Sequence, residues 1–291
     1  MRVEPPTDAA ARGEAAGQED GRLPVVCFCE RACYSETSFV SSTGFQTRDR
    51  ESHEAYEFHY GTIAGYPALL FVLEPSKDAI GAAVVRLRQS VPWGAAVFAL
   101  AGAALPLNPG LSEGQLVLIT DHINLLGDHL LAGGVAAASG FGFPDMSQAY
   151  DGRLLDSVGA EAAALGQPAA RGVYLACPEA MDVSAPFVRA AVDAGASVRG
   201  IGIAPFAVLG AALHVPVVAA VLLHGNARHR EMEDRLQEAR KSVLARVLVR
   251  AALGFRARSW STAGTWPTAV PARSQTGGLT RIRMRAALRV S

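Results

Sequence analysis

The sequence predicts a single α/β domain in which helices flank a central sheet of mixed, mostly parallel strands. Half of the 291 residues are hydrophobic, which is enough for one large core. Short apolar runs, typical of strands, alternate with stretches whose apolar residues recur at helical spacing. The alternation is most regular late in the chain, where residues 198–203 predict a strand, 205–212 a helix and 215–223 a strand. Such regular alternation favours a layered, largely parallel sheet.

The earlier elements follow from the same signals. An apolar run predicts a strand at 25–29, and two strand-like runs around Ala64-Gly65 predict a β-hairpin. The stretch 34–54, dense in serine, threonine and charge, is predicted to be a long loop. The other expected elements are the hairpin strands at 57–60 and 67–73, strands at 95–101, 115–120 and 172–176, and helices at 78–90, 152–165, 184–194 and 229–253.

The two ends differ in composition from the domain predicted at 23–254. Residues 1–22 are rich in alanine, glycine, proline and acidic residues without periodicity, which predicts a disordered leader. Residues 255–291 hold seven arginines and two tryptophans but no acidic residue. Such a tail could contact nucleic acid or acidic lipid. Because it lacks the pattern of a binding module, a disordered extension is favoured.

Charge and hydropathy narrow the functional classes. The formal net charge is zero, which gives no general attraction to nucleic acid or to membranes. No apolar run reaches the roughly 18 residues of a membrane helix, and the first residues lack a secretory signal. We therefore expect a cytoplasmic protein. Neither a membrane nor nucleic acid is an expected partner.

Three of the four cysteines, Cys27, Cys29 and Cys33, fall close together in the sequence. They could form a metal site if His53 or His59 supplied a fourth ligand. They could equally be small apolar side chains of a buried strand. The second interpretation is favoured, so no metal is expected.

Two segments carry the strongest motifs. Asp121–Gly127 reads Asp-His-Ile-Asn-Leu-Leu-Gly, and Phe143–Asp151 reads Phe-Pro-Asp-Met-Ser-Gln-Ala-Tyr-Asp. With Leu-Asn-Pro-Gly at 107–110, they resemble the trimeric purine nucleoside phosphorylases, over about residues 57–250. The resemblance implies the nucleoside phosphorylase fold, a homotrimer and a small-molecule substrate, and no cofactor is expected. It also implies that a loop carrying Phe141 or Phe143 reaches a neighbouring subunit's site.

Asp121 and His122, in the first motif, admit two interpretations. They could act as an acid and a base. They could instead satisfy backbone groups of the loop that follows the strand and so fix its course. The second interpretation is favoured.

The phosphate site of the resembling family is where this sequence departs first. That family binds phosphate with a glycine-rich turn after the first strand, an Arg-Phe-His motif, an amide region and a serine, because backbone N–H groups and positive charge hold anions. Here the first strand runs into residues 30–33, Glu-Arg-Ala-Cys, without a glycine. The Arg and His positions fall at Glu74 and Ser76, and the serine position falls at Gly202.

These replacements predict that phosphate is not bound in the manner of the family. The amide region is also changed, since it reads Ala-Gly-Ala-Ala-Leu-Pro at 101–106. A glutamate in place of the arginine reverses the charge beside the expected phosphate. Arg31, Arg86 and Arg88 could compensate, although none is at a family position.

The purine site departs as well. Without gaps, the glutamate that the family uses for the base falls at Val183, and its asparagine falls at Gly225. One-residue shifts would bring Asp182 and Asn226 into those places. The replacements Val183, Gly102, Gly202 and Phe206 would make the pocket larger and more apolar.

A new set of polar residues is expected on the same pocket-edge loops. We predict that His224 pairs with Asp182 or Glu179 for proton transfer, because a histidine titrates near neutral pH. Solvated loop residues are the alternative. The predicted substrate-binding residues are Tyr174, Val183, Gly102, Gly202, Phe206, Asn226 and Phe141.

Three functions remain open from the sequence. The favoured one is a repurposed enzyme that binds a nucleoside-like or more apolar small molecule without phosphate. The second is a genuine purine nucleoside phosphorylase, which would convert a nucleoside and phosphate to a base and ribose 1-phosphate. The third is a non-catalytic paralogue. Fold alone does not choose between them.

Overall fold

The protein is a nine-stranded mixed sheet with helices packed on it. The computed structural model describes residues 24–74, 76–90, 95–126, 144–178 and 186–224, and most of 241–254. The strands are β1 Val25–Glu30, β2 Gln46–Ser52, β3 Tyr56–Ile63, β4 Tyr66–Leu73, β5 Val97–Pro106, β6 Leu116–Asn124, β7 Ala170–Ala176, β8 Ala196–Gly200 and β9 Val217–Leu223. The helices are α1 Glu36–Thr43, α2 Lys77–Ser90, α3 Gly152–Ala164, α4 Pro186–Asp193 and α5 Ile203–Ala212, with helical residues again within 241–254.

The sheet runs in the order β2-β3-β4-β1-β5-β8-β7-β6-β9, and β9 also pairs with β5. Strands β5, β9, β6, β7 and β8 therefore close into a ring, while β1, β4, β3 and β2 extend from it as an open arm. The length of β5 makes this possible. Residues 97–101 pair with β1, residues 98–104 pair with β9, and the last two residues, Leu105 and Pro106, pair with β8.

The direction of the strands brings the ends of several elements together. Strand β1 is parallel to both β4 and β5, so their carboxyl ends lie at one edge of the sheet. The end of β8 reaches the same place, because Arg199 is opposite Leu105 near the carboxyl end of β5. Ligand sites of open α/β sheets lie at this kind of edge.

The core is continuous from the arm into the ring. Phe28 of β1 stacks on Phe71 of β4 and on Phe206 of α5, and Phe98 of β5 packs edge-on against it. All four rings are buried. Burial of each large aromatic side chain contributes roughly 2–3 kcal/mol, so this stack fixes α5 against the sheet.

The fold class predicted from the sequence is confirmed, and most elements lie within a few residues of their expected positions. The loop predicted at 34–54 is wrong, because this stretch contains α1 and β2. Helix α1 is short and is capped by Ser35, whose side chain accepts the Ser38 N–H, and by Gly44 with φ of 69°. Strand β2 lies at the edge of the sheet and is polar throughout, so it lacks an apolar alternation.

The predicted leader at 1–22 and tail at 255–291 lie outside the described residues, so both stay predictions. Within the described part of the chain, no helix is long and apolar enough to cross a membrane.

Candidate functional site

Glu30 is a buried acid at the carboxyl end of β1. It is 8% exposed although it follows five apolar residues of the strand. Its Oε2 accepts a hydrogen bond of 3.0 Å from the Ala103 N–H in β5. The Gly202 N–H, just before α5, also favours the charged carboxylate. Its Oε1 has no hydrogen-bond partner among the described residues.

Two glycines make room for this carboxylate. A Cβ at Gly102 would lie 2.7 Å from Glu30 Oε1, and one at Gly202 would lie closer still. Neither backbone needs glycine for its dihedral angles, since neither has a positive φ. The close approach of the carboxylate therefore accounts for both glycines. The space that they were expected to add to the pocket is filled by Glu30.

The carboxylate also lies at the beginning of α5. Gly202 is the N-cap of this helix and has no side chain to cap it. The first N–H groups of a helix carry partial positive charge and favour an anion. Glu30, which is distant in sequence, supplies that anion to a helix whose first eight residues are buried.

Burial dominates the electrostatics of Glu30. Desolvation raises the pKa of its carboxyl from 4.5 to about 7. The N–H groups of Ala103 and Gly202 act in the opposite direction, and the nearby Glu74 carboxylate adds to the rise. At neutral pH the group therefore exists in both its charged and its neutral form.

The walls around Glu30 are apolar and close. They include Phe28, Leu73, Ile203 and Phe206, and the rings of Phe28 and Phe206 stack with centroids 4.0 Å apart. The cavity left beside the carboxylate measures about 10 Å³. A cavity of this size holds about one water molecule. Phe206 lines this cavity, and its predicted role in substrate binding stays a prediction. The described walls leave no room for a larger ligand.

The cations that could have offset the acid are paired elsewhere. Arg31 Nη1 donates to Glu57 Oε1 at 2.8 Å. Arg86 Nε donates to Glu51 Oε2 at 2.9 Å, and its guanidinium lies 4.3 Å from the centre of the Phe58 ring. The Arg88 side chain is outside the described residues.

The two positions expected at the phosphate motif have other surroundings. Ser76 Oγ accepts the Ala79 N–H and so caps the beginning of α2. Glu74 is exposed and adds negative charge near Glu30. Glu30 and Glu74 therefore make the described part of the site acidic. From the sequence, the resembling family is expected to have an arginine at the position of Glu74.

Comparison with known proteins fixes the family. The Phosphorylase superfamily profile matches residues 25–253. This chain belongs to the phosphorylase superfamily. Purine nucleoside phosphorylase 1 of Bacillus subtilis (strain 168) is 43% identical over 74 residues, and that of Geobacillus stearothermophilus is 40% identical over 74 residues. Each match covers 25% of this chain and only 27% of the relative.

The superfamily fold is also seen in solved structures. The Schistosoma mansoni purine nucleoside phosphorylase in complex with acetate has a TM-score of 0.62 and 19% identity, covering 82% of this chain and 94% of that one. Isoform 2 from the same organism, in complex with cytosine and ribose-1-phosphate, has a TM-score of 0.64 and 18% identity, covering 84% and 95%. At these identities the similarity shows the fold alone.

Tyr174 of this superfamily member is fully buried, although the sequence predicted that it binds substrate. Its hydroxyl faces the backbone of Ile203 without a hydrogen bond of good geometry. It also lies against Gly200, where a Cβ would overlap the hydroxyl oxygen. Burial raises the pKa of this phenol well above its usual value. Tyr174 thus packs beneath the site, and its role in binding stays a prediction.

His224 follows β9 and is exposed, and its backbone N–H donates to Ala104 O at 3.0 Å. It therefore lies at the edge of the sheet near the end of β5. The other predicted site residues on the loops are outside the described part of the chain, so the His224–carboxylate pair stays a prediction. They are Glu179, Asp182, Val183, Asn226 and Phe141.

His122 and Asp121 make structural contacts. His122 Nδ1 lies 3.0 Å from Tyr150 Oη, and Asp121 Oδ1 accepts the His122 N–H at 2.7 Å. Burial lowers the pKa of His122. Tyr150 immediately precedes Asp151, which caps α3. These contacts tie β6 to the beginning of α3, which favours the structural interpretation of the first motif.

All four cysteines are buried and free. Cys27, Cys29 and Cys33 line an apolar cavity together with Leu244 and Leu248 of the C-terminal helical segment. Desolvation raises the pKa of each of these three thiols, which makes them poor nucleophiles and poor metal ligands. Among the described residues, no group of three or more His, Cys, Asp or Glu side chains could hold a metal ion.

Glu30 is the residue that reasoning from the sequence missed. In the sequence, residues 30–33 stand out only because they lack the glycine that the resembling family has after its first strand. The available signal was an acid that ends an otherwise apolar strand, Val-Val-Cys-Phe-Cys-Glu. Buried acids are rare unless they have a specific partner, so such an acid is a candidate functional residue.

Proposed function

We propose that this chain is a diverged phosphorylase-superfamily enzyme that acts on a nucleoside-like or more apolar small molecule without inorganic phosphate. The observation that carries the proposal is the Glu30 carboxylate, which uses the N–H of Ala103 and lies at the beginning of α5. From the sequence, the phosphate-binding serine of the resembling family is expected at the position of Gly202, which lies beside this carboxylate.

The negative charge of nearby carboxylates supports the proposal that the site does not bind phosphate. A phosphate beside a buried carboxylate would experience a repulsion on the order of several kcal/mol at close range. Glu74 would add to this repulsion, while Arg31 and Arg86 are held by other carboxylates. The N–H groups that would otherwise hold an anion already have one.

The chemistry of base release without phosphate needs another nucleophile. If the substrate is a nucleoside, water is the available one, and cleavage would give a free base and free ribose. We propose that His224, with Asp182 or Glu179, handles the protons, as the sequence predicts. We also propose that the chain assembles as a homotrimer, on the resemblance alone.

The test is the release of base from inosine and guanosine by the purified protein, with and without inorganic phosphate. The expected result is that phosphate does not increase release. A sugar assay separates free ribose from ribose 1-phosphate, and His224→Ala tests the proton-transfer group. Release that depends on phosphate and yields ribose 1-phosphate would contradict the proposal.

Two other functions are favoured by single observations. The 43% identity with purine nucleoside phosphorylase 1 over 74 residues favours genuine phosphorolysis, which phosphate-dependent release would establish. The small cavity beside Glu30 favours a non-catalytic paralogue. In that case a folded protein would release no base under either condition, and sedimentation would still report its assembly.

A further inference from the structure

We propose that Glu30 and Tyr174 bind a protonated amine, whose ammonium group lies in the small cavity beside the Glu30 carboxylate. The ligand is either the free ammonium ion or the amine end of a larger molecule. Both share the chemistry of a compact cation that donates hydrogen bonds. This names the class of ligand in the proposed function and rests on it in one respect, since it takes the cavity as part of the ligand site.

Two buried oxygens at this place lack a hydrogen-bond partner among the described residues. They are Glu30 Oε1 and Tyr174 Oη, in residues that are 8% and 0% exposed. Both groups lie at the beginning of α5, because the Gly202 N–H acts on Glu30 and the backbone of the next residue, Ile203, acts on Tyr174. Burial, and after it the charge of Glu30, raises the pKa of the Tyr174 phenol, so the two groups are close. Because buried polar groups almost always have partners, two such oxygens indicate a donor that these side chains share.

The charge at this place favours a cation over a water molecule as that donor. Glu74 adds its negative charge to that of Glu30. Arg31 and Arg86, the cations that could have offset this charge, already form ion pairs with other carboxylates. A buried carboxylate is costly unless an opposite charge accompanies it. A water molecule would supply a hydrogen bond, but only a cation would also balance the charge.

The beginning of α5 opposes a cation, but by less than the carboxylates favour one. The N-terminus of a helix is equivalent to roughly half a positive charge, whereas an ionised Glu30 carries a full negative charge. Its Oε2 accepts the Ala103 N–H, which leaves Oε1 for the ligand. The apolar walls, which include Phe28, Leu73 and Phe206, limit the access of water and so strengthen the attraction between opposite charges.

The size of the cavity selects for a compact donor. It measures about 10 Å³, which is room for about one water molecule, and an ammonium group is close to water in size. An ammonium group needs only acceptors in the directions of its N–H bonds, and the two oxygens provide them. A potassium ion instead needs a shell of several oxygens, as hard cations do. The site should therefore prefer ammonium to potassium.

The experiment titrates the purified full chain with ammonium chloride, methylammonium chloride and potassium chloride, while sodium chloride holds the ionic strength constant. Isothermal titration measures binding, and thermal unfolding in the same buffers measures the stabilisation of the folded state. We expect wild type to bind ammonium at least about tenfold more tightly than potassium, because hydrogen bonds to a carboxylate are charge-assisted. Binding of methylammonium as well would identify the amine end of a larger molecule, and binding of ammonium alone would identify the free ion.

Three variants test which groups hold the cation. Glu30→Gln keeps the shape of the side chain but removes its charge, so ammonium binding should weaken at least about tenfold. Tyr174→Phe removes one neutral acceptor and should weaken binding by about threefold. Asp193→Asn is the matched control, because it removes an exposed carboxylate at the end of α4 and should leave ammonium binding at the wild-type level.

The inference is overturned if wild type binds ammonium no more tightly than potassium. It is also overturned if folded Glu30→Gln binds ammonium as wild type does, or if Asp193→Asn loses as much as Glu30→Gln, because general charge would then explain the effect. If Glu30→Gln does not fold, Tyr174→Phe and the comparison of cations in wild type decide. Phosphate-dependent base release would contradict the proposed function alone, since the titrations contain neither nucleoside nor phosphate.

Discussion

Glu30 makes the stability of the protein depend on pH in a direction opposite to that of most carboxyl groups. Its pKa in the folded protein is about 7, above the ordinary value of 4.5. The folded state therefore binds the proton more tightly than the unfolded state does. The stability contributed by this group is fully present below pH 4.5 and is lost as pH rises towards and through 7. The loss is on the order of 3 kcal/mol, since one pKa unit corresponds to about 1.4 kcal/mol.

Glu30→Gln should remove this dependence. We expect the free energy of unfolding of wild type, relative to that of Glu30→Gln, to fall by about 2–3 kcal/mol between pH 5 and pH 8. Urea unfolding at several pH values measures the difference. Glu74→Gln is the matched control, because its carboxyl is exposed. Parallel pH profiles for wild type and Glu30→Gln would show that the buried carboxyl does not titrate as described.

Gly202 should be coupled energetically to Glu30. A Cβ at this position would overlap Glu30 Oε1, while the backbone angles of −78° and −20° suit alanine. We therefore expect Gly202→Ala to destabilise wild type by about 1–3 kcal/mol through overpacking. In a Glu30→Ala background the same change should cost much less, and a double-mutant cycle from urea unfolding measures the coupling. Equal costs in the two backgrounds would contradict the contact.

This pair also shows what could be predicted at the scale of single residues. Gly102 and Gly202 were identified from the sequence as site positions, but the side chain that explains them was not. Glu30 and Ala103 are 73 positions apart, and no periodicity links residues at that distance. Only the parallel pairing of β1 with β5 brings them together.

At the scale of elements, helix α3 shows a local signal that sequence reasoning can use. Asp151 caps this helix, because its Oδ1 accepts the N–H groups of Arg153 and Leu154 at 2.9 and 3.0 Å. Asp151→Ala should lower the free energy of unfolding by about 1 kcal/mol. Asp151→Asn should retain most of the stabilisation that the cap provides, since asparagine caps helices as well as aspartate does. Chemical denaturation of the three proteins makes the comparison, and equal losses in both variants would show that capping is not the cause.

Helix α3 was predicted correctly because its own segment carries a clear sequence pattern, whereas α1 and β2 were missed because theirs do not. The boundaries of α3 are marked by a capping aspartate and by four buried residues at helical spacing. Helix α1 buries only Phe39, and β2 has no buried residue. Both owe their place to contacts with other elements, such as the pairing of β2 with β3 and the ion pair between Arg86 and Glu51. Such contacts leave no pattern in their own segments.

At the scale of the whole molecule, the ring of strands is the feature that places the site. The sequence predicted a layered sheet, and the alternation of strands and helices in the structure agrees with this prediction. It gave no sign that β5 would leave β1 at its end to pair with β8. Closure depends on pairings of β5 with β8 and β9, whose residues are far from β5 in the sequence, so no local sequence pattern reveals it.

Gly200 lies at a point of close approach within this ring. It ends β8, and a Cβ added there would meet the Tyr174 hydroxyl and lie 3.0 Å from the Ala103 carbonyl oxygen of β5. A Cβ there would overlap the Tyr174 oxygen, so Gly200→Ala should destabilise the protein by about 2–3 kcal/mol. Tyr174→Phe alone should be nearly neutral, because it removes a buried hydroxyl that makes no good hydrogen bond.

The double variant Gly200→Ala, Tyr174→Phe decides whether this contact controls closure. It should recover part of the lost stability, since the hydroxyl no longer meets the added methyl group. Recovery should be incomplete, because the Ala103 carbonyl would still lie 3.0 Å from the new Cβ. Urea unfolding of the four proteins gives the coupling energy. Additive losses would mean that the ring tolerates a Cβ at Gly200 without moving Tyr174, and that β8 is held in place by its pairing with β7 instead.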